Sequence, residues 1–266
     1  MSDTPTYAVL RDRALIAVSG PDWRTFLQGQ LTQDVETLGA GDLRFGALLS
    51  PQGRLLFDLF ILGREDGCWL DAAADRREAL IARLALYRLR AKVEIVTQGG
   101  PVVALMAQGE EGFHQDPRLP ALGQRGYGDV EPPGLRADAA AYDLHRLKLG
   151  VPATADYGDD ATYPIEANFD LLNGIDFKKG CFVGQETTSR MKRRGQIKSR
   201  MLPVTFAGPP PIPGAEVLAG DLRAGQVLSG IAGRSMALLR LDRIAGAGLT
   251  VDSRPVAVER PAWFQA

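Results

Sequence analysis

Apolar and polar positions along this chain follow two different periods, and the switches between them mark out its elements. "YAVLRDRALIAVSG" (7–20) holds two short apolar runs around the polar pair Arg11–Asp12, which predicts two strands and a glycine turn. In "SGPDWRTFLQGQLTQDV" (19–35), Ser19 and Pro21 precede apolar residues at 23, 26, 27 and 31, the spacing of a capped helix. "LRFGALLSPQGRLLFDLFILGREDGCWLDA" (43–72) is strand-like and punctuated by the turn sequences SPQG and REDG. "DRREALIARLALYRLR" (75–90) sets Leu80, Ile81, Leu84 and Tyr87 on one helical face. "KVEIV" (92–96) and "PVVALMA" (101–107) predict further strands, and the Gly- and Pro-rich stretch 108–138 predicts loops around a single strand.

The second half changes character. "DAAAYDLHRLKLGVP" (138–152) predicts a helix ended by Gly150 and Pro152. "FVGQETTSRMKRRG" (182–195) predicts another, with Glu186 early and Lys192, Arg193 and Arg194 late, charges that complement the helix dipole. Beyond the proline-rich "AGPPPIPG" (207–214), short apolar runs at regular turn spacing predict a small β-barrel. The expected fold class is α+β, divided into a mixed region 1–195 and a barrel domain 196–266.

Composition adds mostly exclusions. The 266 residues are 45% apolar and 24% charged with a net charge of −1, so no global charge draws the chain to nucleic acid or membrane. No run approaches the roughly 18 apolar residues of a membrane span, and no signal or transit pattern opens the sequence, so a cytoplasmic location is expected. Two cysteines (Cys68, Cys181) and two histidines (His114, His145) supply neither a disulfide framework nor a closed metal site, so no stably bound metal is expected. Walker, G-x-G-x-x-G, G-x-S-x-G and H-E-x-x-H patterns are absent.

Four stretches could carry chemistry. In "FKKGCFVGQETTSR" (177–190), Lys178, Lys179 and the start of a helix would favour the Cys181 thiolate, while Gly180 and Gly184 would admit an anion or planar ligand. In "YPIEANFD" (163–170), Glu166 in an apolar setting would accept two N–H bonds from an amino-substituted heteroaromatic ring. Gln28, Gln30, Thr32, Gln33 and Asp34 gather polar groups at a helix end. "RMKRRGQIKSR" (190–200) is a basic patch for a phosphate backbone, a polyanionic tail or an acidic partner. Each has a plainer reading: a small buried cysteine by a turn, a helix-terminal acid, a capping cluster, a solvated helix end.

"KGCFVGQE" (179–186) resembles the signature of the YgfZ proteins, folate-binding relatives of the glycine-cleavage aminomethyltransferase. The resemblance extends to "VSGPDWRTFLQGQLTQDVETL", "SPQGRLLFDLFI", the whole of 163–195 and "GQVLSGIAGRSMALLRL". It implies a ring-like body of two intertwined α+β subdomains around a central folate site, closed by the barrel. It also implies a tetrahydrofolate-dependent role in assembling or repairing iron–sulfur clusters, with folate and iron–sulfur client or assembly proteins as partners. Carried over by position, Cys181 is the candidate catalytic thiol tuned by Lys179. Glu166, Asn168, Gln30, Thr32, Gly180, Gly184, Gln185 and Glu186 are the candidate folate contacts. Two departures stand out: Gln33 replaces an expected asparagine, and "QGRLLFD" offers the single Asp58 where the transferases carry paired aspartates. The second weakens the alternative of a one-carbon (aminomethyl) transferase acting through Asp58 or Glu166. A further alternative is an RNA-modification accessory using the 190–200 patch.

Overall fold

The computed structural model, which describes residues 4–195, 197–246 and 248–265, resolves these runs into two five-stranded sheets and a closed six-stranded barrel. The first sheet is antiparallel throughout, in the order β3 (Leu43–Leu49), β4 (Leu55–Arg64), β5 (Gly67–Ala73), β2 (Arg13–Ser19), β6 (Glu94–Gln98). Helices α1 (Trp23–Gln28) and α2 (Arg77–Arg88) cover one face, where Phe26, Leu27, Leu80 and Leu84 pack on Ile16, Leu59, Ile61 and Leu70. Strand β4 is buried on both faces, which is why "LLFDLFIL" reads as an unbroken apolar run instead of alternating.

The opposite face of β4 carries Asp58, Phe60 and Leu62 at period two. The second sheet packs over it in the order β10 (Leu135–Ala137), β1 (Thr6–Val9), β7 (Val102–Leu105), β9 (Gln124–Tyr127), β8 (His114–Gln115), with α3 (Ala139–Lys148) and the one-turn α4 (Thr154–Tyr157) following in the chain. The chain's first strand thus sits among strands from 102–137, parallel to β10 and antiparallel to β7. The barrel runs β11 (Ser199–Thr205), β14 (Arg234–Arg240), β13 (Leu222–Ile231), β12 (Glu216–Ala219), β15 (Leu249–Val251), β16 (Arg254–Val258) and closes back on β11. A core of Phe45, Phe60, Ile165, Phe169, Met201 and Met236 joins the first sheet, the 157–182 segment and the barrel. The expected boundary at 196 falls on Gln196, outside the described residues. Among the described residues no helix is long and apolar enough to cross a membrane.

Two expectations need correction. Three short strands, not one, occupy 108–138. All four residues of β9, "QRGY", are buried, so a charged strand lies where polarity suggested loop. The first helix also ends at Gln28: Ser19 closes β2 instead of capping it, and Leu31 pairs with Leu48 as an isolated bridge.

What buries β9 is an ion network. Arg125 donates to Asp71 Oδ2 at 2.7 Å, across from the second sheet to the first, and Arg13 donates to Asp71 Oδ1 at 2.6 Å. Asp71 is 1% exposed. Burial alone would raise its pKa, but the two guanidiniums more than offset that and hold it below the ordinary aspartate value of 3.8. A carboxylate with a depressed folded pKa stabilises the fold above its unfolded value and loses that contribution as the pH falls below it. Asp71→Ala, which takes the closest carboxylate from the buried Arg125 and leaves Arg13 with Asp58 alone, is expected to cost about 3–5 kcal/mol in urea unfolding. Wild type is expected to lose stability below about pH 4, and the variant's acid-side slope to be shallower. A variant as stable as wild type would refute this.

Candidate functional site

Where the two sheets and the barrel meet lies a cavity of about 160 Å³, lined by residues of all three. Four guanidiniums reach it: Arg13, Arg118, Arg125 and Arg146. Each is tied to a carboxylate. Arg118 forks onto Asp116 at 3.0 and 2.8 Å and donates to the Tyr142 hydroxyl at 2.9 Å. Arg146 bonds Asp143 at 2.6 Å, Asp156 at 3.0 Å and, across to the barrel, Ser229 Oγ at 3.0 Å. Arg13 also donates to Asp58 Oδ2 at 2.8 Å, and the Thr154 hydroxyl donates to Asp58 Oδ1 at 2.7 Å. Phe60 forms an apolar wall, with the Arg125 guanidinium 3.9 Å from its ring centre. Such a lining, paired charges around one aromatic wall, suits a planar, polar ligand. An apolar cavity of about 150 Å³ holds one benzene ring, so this one encloses about one ring of a larger molecule.

The thiol stands elsewhere, on a loop fastened on either side of it by Lys179 and Val183. Lys179 is buried beneath it, and its ammonium donates to the carbonyls of Gln28 (2.7 Å), Leu31 (2.6 Å) and Gln33 (2.9 Å). Three N–H groups thus meet three carbonyls, that of Gln28 left open at the end of α1 and those of Leu31 and Gln33 in the turn that follows. Burial lowers the Lys179 pKa to about 8, against the opposing pull of Asp34 and Asp176, and the group stays largely protonated at neutral pH. The Asp176 carboxylate accepts from the N–H groups of Lys178 and Lys179, and Val183 N–H donates to Gly29. Phe182 is buried, while Cys181 between them is exposed. The other cysteine, Cys68, is buried in the first sheet, and burial raises its thiol pKa above the ordinary range.

Of the residues named from the sequence, only Asp58, the acid of the alternative transferase reading, lines the central cavity; the candidate thiol and folate contacts do not. Lys179, expected to tune the thiol, spends its charge on the turn 28–33. Thr32 is buried and bonds Gly174 O and Ala47 N–H. Asn168, at φ +62° and fully buried, donates to Met201 O and accepts from Arg200. Glu166 accepts the Tyr163 N–H; burial raises its pKa, opposed by that bond and by Arg54. Gly184 is a glycine for internal reasons: at φ +81° an added Cβ would lie 2.7 Å from Ser50 O and 2.9 Å from Gly53 Cα. Gln185 and Glu186 open α5 (Gln185–Arg194) beside the thiol loop, and Gln30 keeps a buried Oε1 without a partner. Gly180 is exposed, with nothing within 4 Å of an added Cβ. The cavity's arginines escaped sequence reading, although Arg13 and Asp71 are charges inside strand-like runs, which is the available signal; Arg125 stands in a stretch that reads as loop.

Comparisons with known proteins agree on the fold. A family model described as the CAF17 C-terminal beta-barrel domain matches residues 198–266. The chain is 31% identical to the mitochondrial iron–sulfur cluster assembly factor IBA57 of Homo sapiens, covering 89% of this chain and 78% of that one. It is 32% identical to the IBA57 homolog of Mycosarcoma maydis over 79% of this chain, and 33% identical to that of Neurospora crassa over 73%. The chain spans only 60% and 52% of the length of these two fungal relatives. The glycine cleavage system aminomethyltransferase T of Bartonella henselae superposes with a TM-score of 0.76 over 98% of this chain and 86% of that one, at 18% identity. The architecture is therefore the aminomethyltransferase-like fold with a closed C-terminal barrel. The cytoplasmic expectation is corrected: these IBA57 relatives are named mitochondrial, which points away from the cytoplasm.

Two substitutions separate support from chemistry. Lys179→Met leaves three carbonyls without a donor and is expected to cost about 3 kcal/mol or more in urea unfolding. A Lys179→Met variant as stable as wild type would mean that those carbonyls do not depend on the ammonium. Glu166→Gln keeps an acceptor for Tyr163 N–H and removes an ionisation that burial opposes, so no loss of melting temperature at pH 7 is expected. A marked loss would mean the charge itself is needed.

Proposed function

This chain belongs to the IBA57 family of iron–sulfur cluster assembly factors, and from that premise we propose that it helps build or repair clusters in client enzymes by lending the Cys181 thiolate. The observation that carries this is the contrast between the two cysteines: one sealed in a sheet, one exposed on a fastened loop. An iron–sulfur cluster takes about four protein ligands. Among the described residues no group of three or more Cys, His, Asp or Glu could hold a metal, so one thiol contributes to a cluster only by sharing it. Cys181 gives up its proton to solvent and, as a thiolate, displaces one partner-supplied ligand from an iron, that ligand taking up a proton as it leaves, while the remaining ligands stay the partner's.

Tetrahydrofolate belongs to the same proposal, in the central cavity instead of at the residues named from the sequence. The lining fits part of the molecule. Phe60 offers a ring face, Asp58 retains a free lone pair on each oxygen to accept N–H groups, and the arginines suit an anionic tail. The volume encloses one ring and leaves the rest to run outward. When bound, the folate supplies a carrier for a one-carbon unit; the chain's own residues orient it and shield its head from water. Asp58 has both oxygens engaged by Arg13 and Thr154, which favours a binding role over the base of a transferase.

The test pairs two variants. Cys181→Ser is expected to bind tetrahydrofolate as wild type does in a fluorescence titration, yet to lower cluster-enzyme activity several-fold in cells that depend on it. Asp58→Asn, checked for folding by circular dichroism, is expected to weaken folate about tenfold. Full client activity in Cys181→Ser would overturn the thiol's role, and unchanged folate affinity in Asp58→Asn would overturn the cavity's.

A further inference from the structure

The thiol loop shares its surface with a groove and a concentrated positive charge, neither of which the fold explains. Residues 177–200 carry eight cations against one anion, a net +7 that leaves the rest of a −1 chain at −8. Two of the eight serve the fold: Lys179 caps the turn 28–33, and the buried Arg200 forks onto Asp170 at 2.6 and 3.0 Å. The other six, Lys178, Arg190, Lys192, Arg193, Arg194 and Lys198, are exposed, and Glu186 is the single exposed acid among them. A soluble surface normally intersperses its signs; this one segregates them.

Beside the loop a groove of about 610 Å³ runs between Phe177 and α5, with Gln185, Glu186, Ser189, Lys192 and Arg193 along it. These α5 positions, at i, i+1, i+4, i+7 and i+8, form one helical stripe. Phe177 is an exposed aromatic at one wall, with the Lys192 ammonium 5.4 Å from its ring centre. Lys192 also reaches the buried Asp170 carboxylate at 3.4 Å, whereas Arg193 meets no carboxylate among the described residues. Gly180, next to Cys181, has open space where a side chain would be and no positive φ, so nothing inside this chain requires it to be small.

We infer that this groove is the docking surface for the protein that meets Cys181, and that it takes an acidic segment carrying an aromatic or large aliphatic side chain. The apolar residue packs on Phe177 while its carboxylates face Lys192 and Arg193. Charge complementarity selects this occupant, because an exposed cationic stripe steers and orients an acidic partner. RNA is disfavoured: Phe177 is the single exposed aromatic of the stretch, too few for a stacking platform. The inference rests on the reading that Cys181 meets a partner.

The test pans a random twelve-residue phage-displayed peptide library on the purified full chain, then titrates the best synthetic peptide and a twelve-nucleotide RNA. The control is Ser189→Glu/Arg193→Glu, which reverses charge and fills the groove one turn apart on the exposed face of α5. Enriched peptides are expected to combine two or more Asp or Glu with an aromatic or leucine, and to bind the double variant at least tenfold more weakly. Circular dichroism reports that the double variant is folded. Peptides without acidic bias, equal binding to the double variant, or RNA bound more tightly than any peptide would overturn the inference. Such a result beside an inactive Cys181→Ser removes the docking surface and leaves the thiol reading in place.

Discussion

Asp71 is the point on which the rest of the molecule depends. It stands in the middle of the first sheet and faces the second, and its two oxygens are claimed by Arg13 from its own sheet and Arg125 from the other. A buried carboxylate is unfavourable alone, and so is a buried guanidinium; each is tolerable here because the other is present. That mutual requirement sets the distance between the sheets. It also turns Arg13 so that its remaining N–H groups reach Asp58 and Thr154, which make one side of the cavity. The ring closes through a second such link, where Arg146 and Asp156 together hold Ser229 of the barrel. The central cavity is thus a consequence of how three bodies are pinned, and its polar lining is the set of groups that pin them.

The thiol loop follows a different logic. Residues 173–183 are laced to the turn 28–33 by backbone bonds, by Gln33 donating to Asn173 O and by the ammonium of Lys179. The buried lysine two residues before the cysteine therefore ties the loop to that turn. Gly184 and Gly53 press backbone against backbone to seat the start of α5. Cavity and thiol are separate constructions, so a ligand in one and a partner at the other engage different parts of the chain.

Much of this was legible in the amino-acid order. The apolar period gave β2 to β5 and α2, because those elements bury one face or two and their patterns are long. Turn chemistry and short even spacing gave the barrel. What stayed hidden was any element organised by charge: β9 reads as loop because Gln124 and Arg125 are polar, and only the distant Asp71 makes them core. The same blindness hid the cavity, whose arginines come from β2, β9, α3 and the loop before β9. Local reading also could not see the structural duties of the residues it singled out: Thr32, Asn168, Lys179 and Gly184 all stand in polar stretches that invite a ligand, and all four make intramolecular contacts.

A structure of the protein determined with tetrahydrofolate tests the central claim, that folate and thiol occupy separate sites, most directly. The account expects the ligand's ring in the central cavity, against Phe60 and within hydrogen-bond reach of Asp58, with Cys181 exposed as before. Ligand density at Glu166 and the 179–186 loop, with the cavity unchanged, would contradict it.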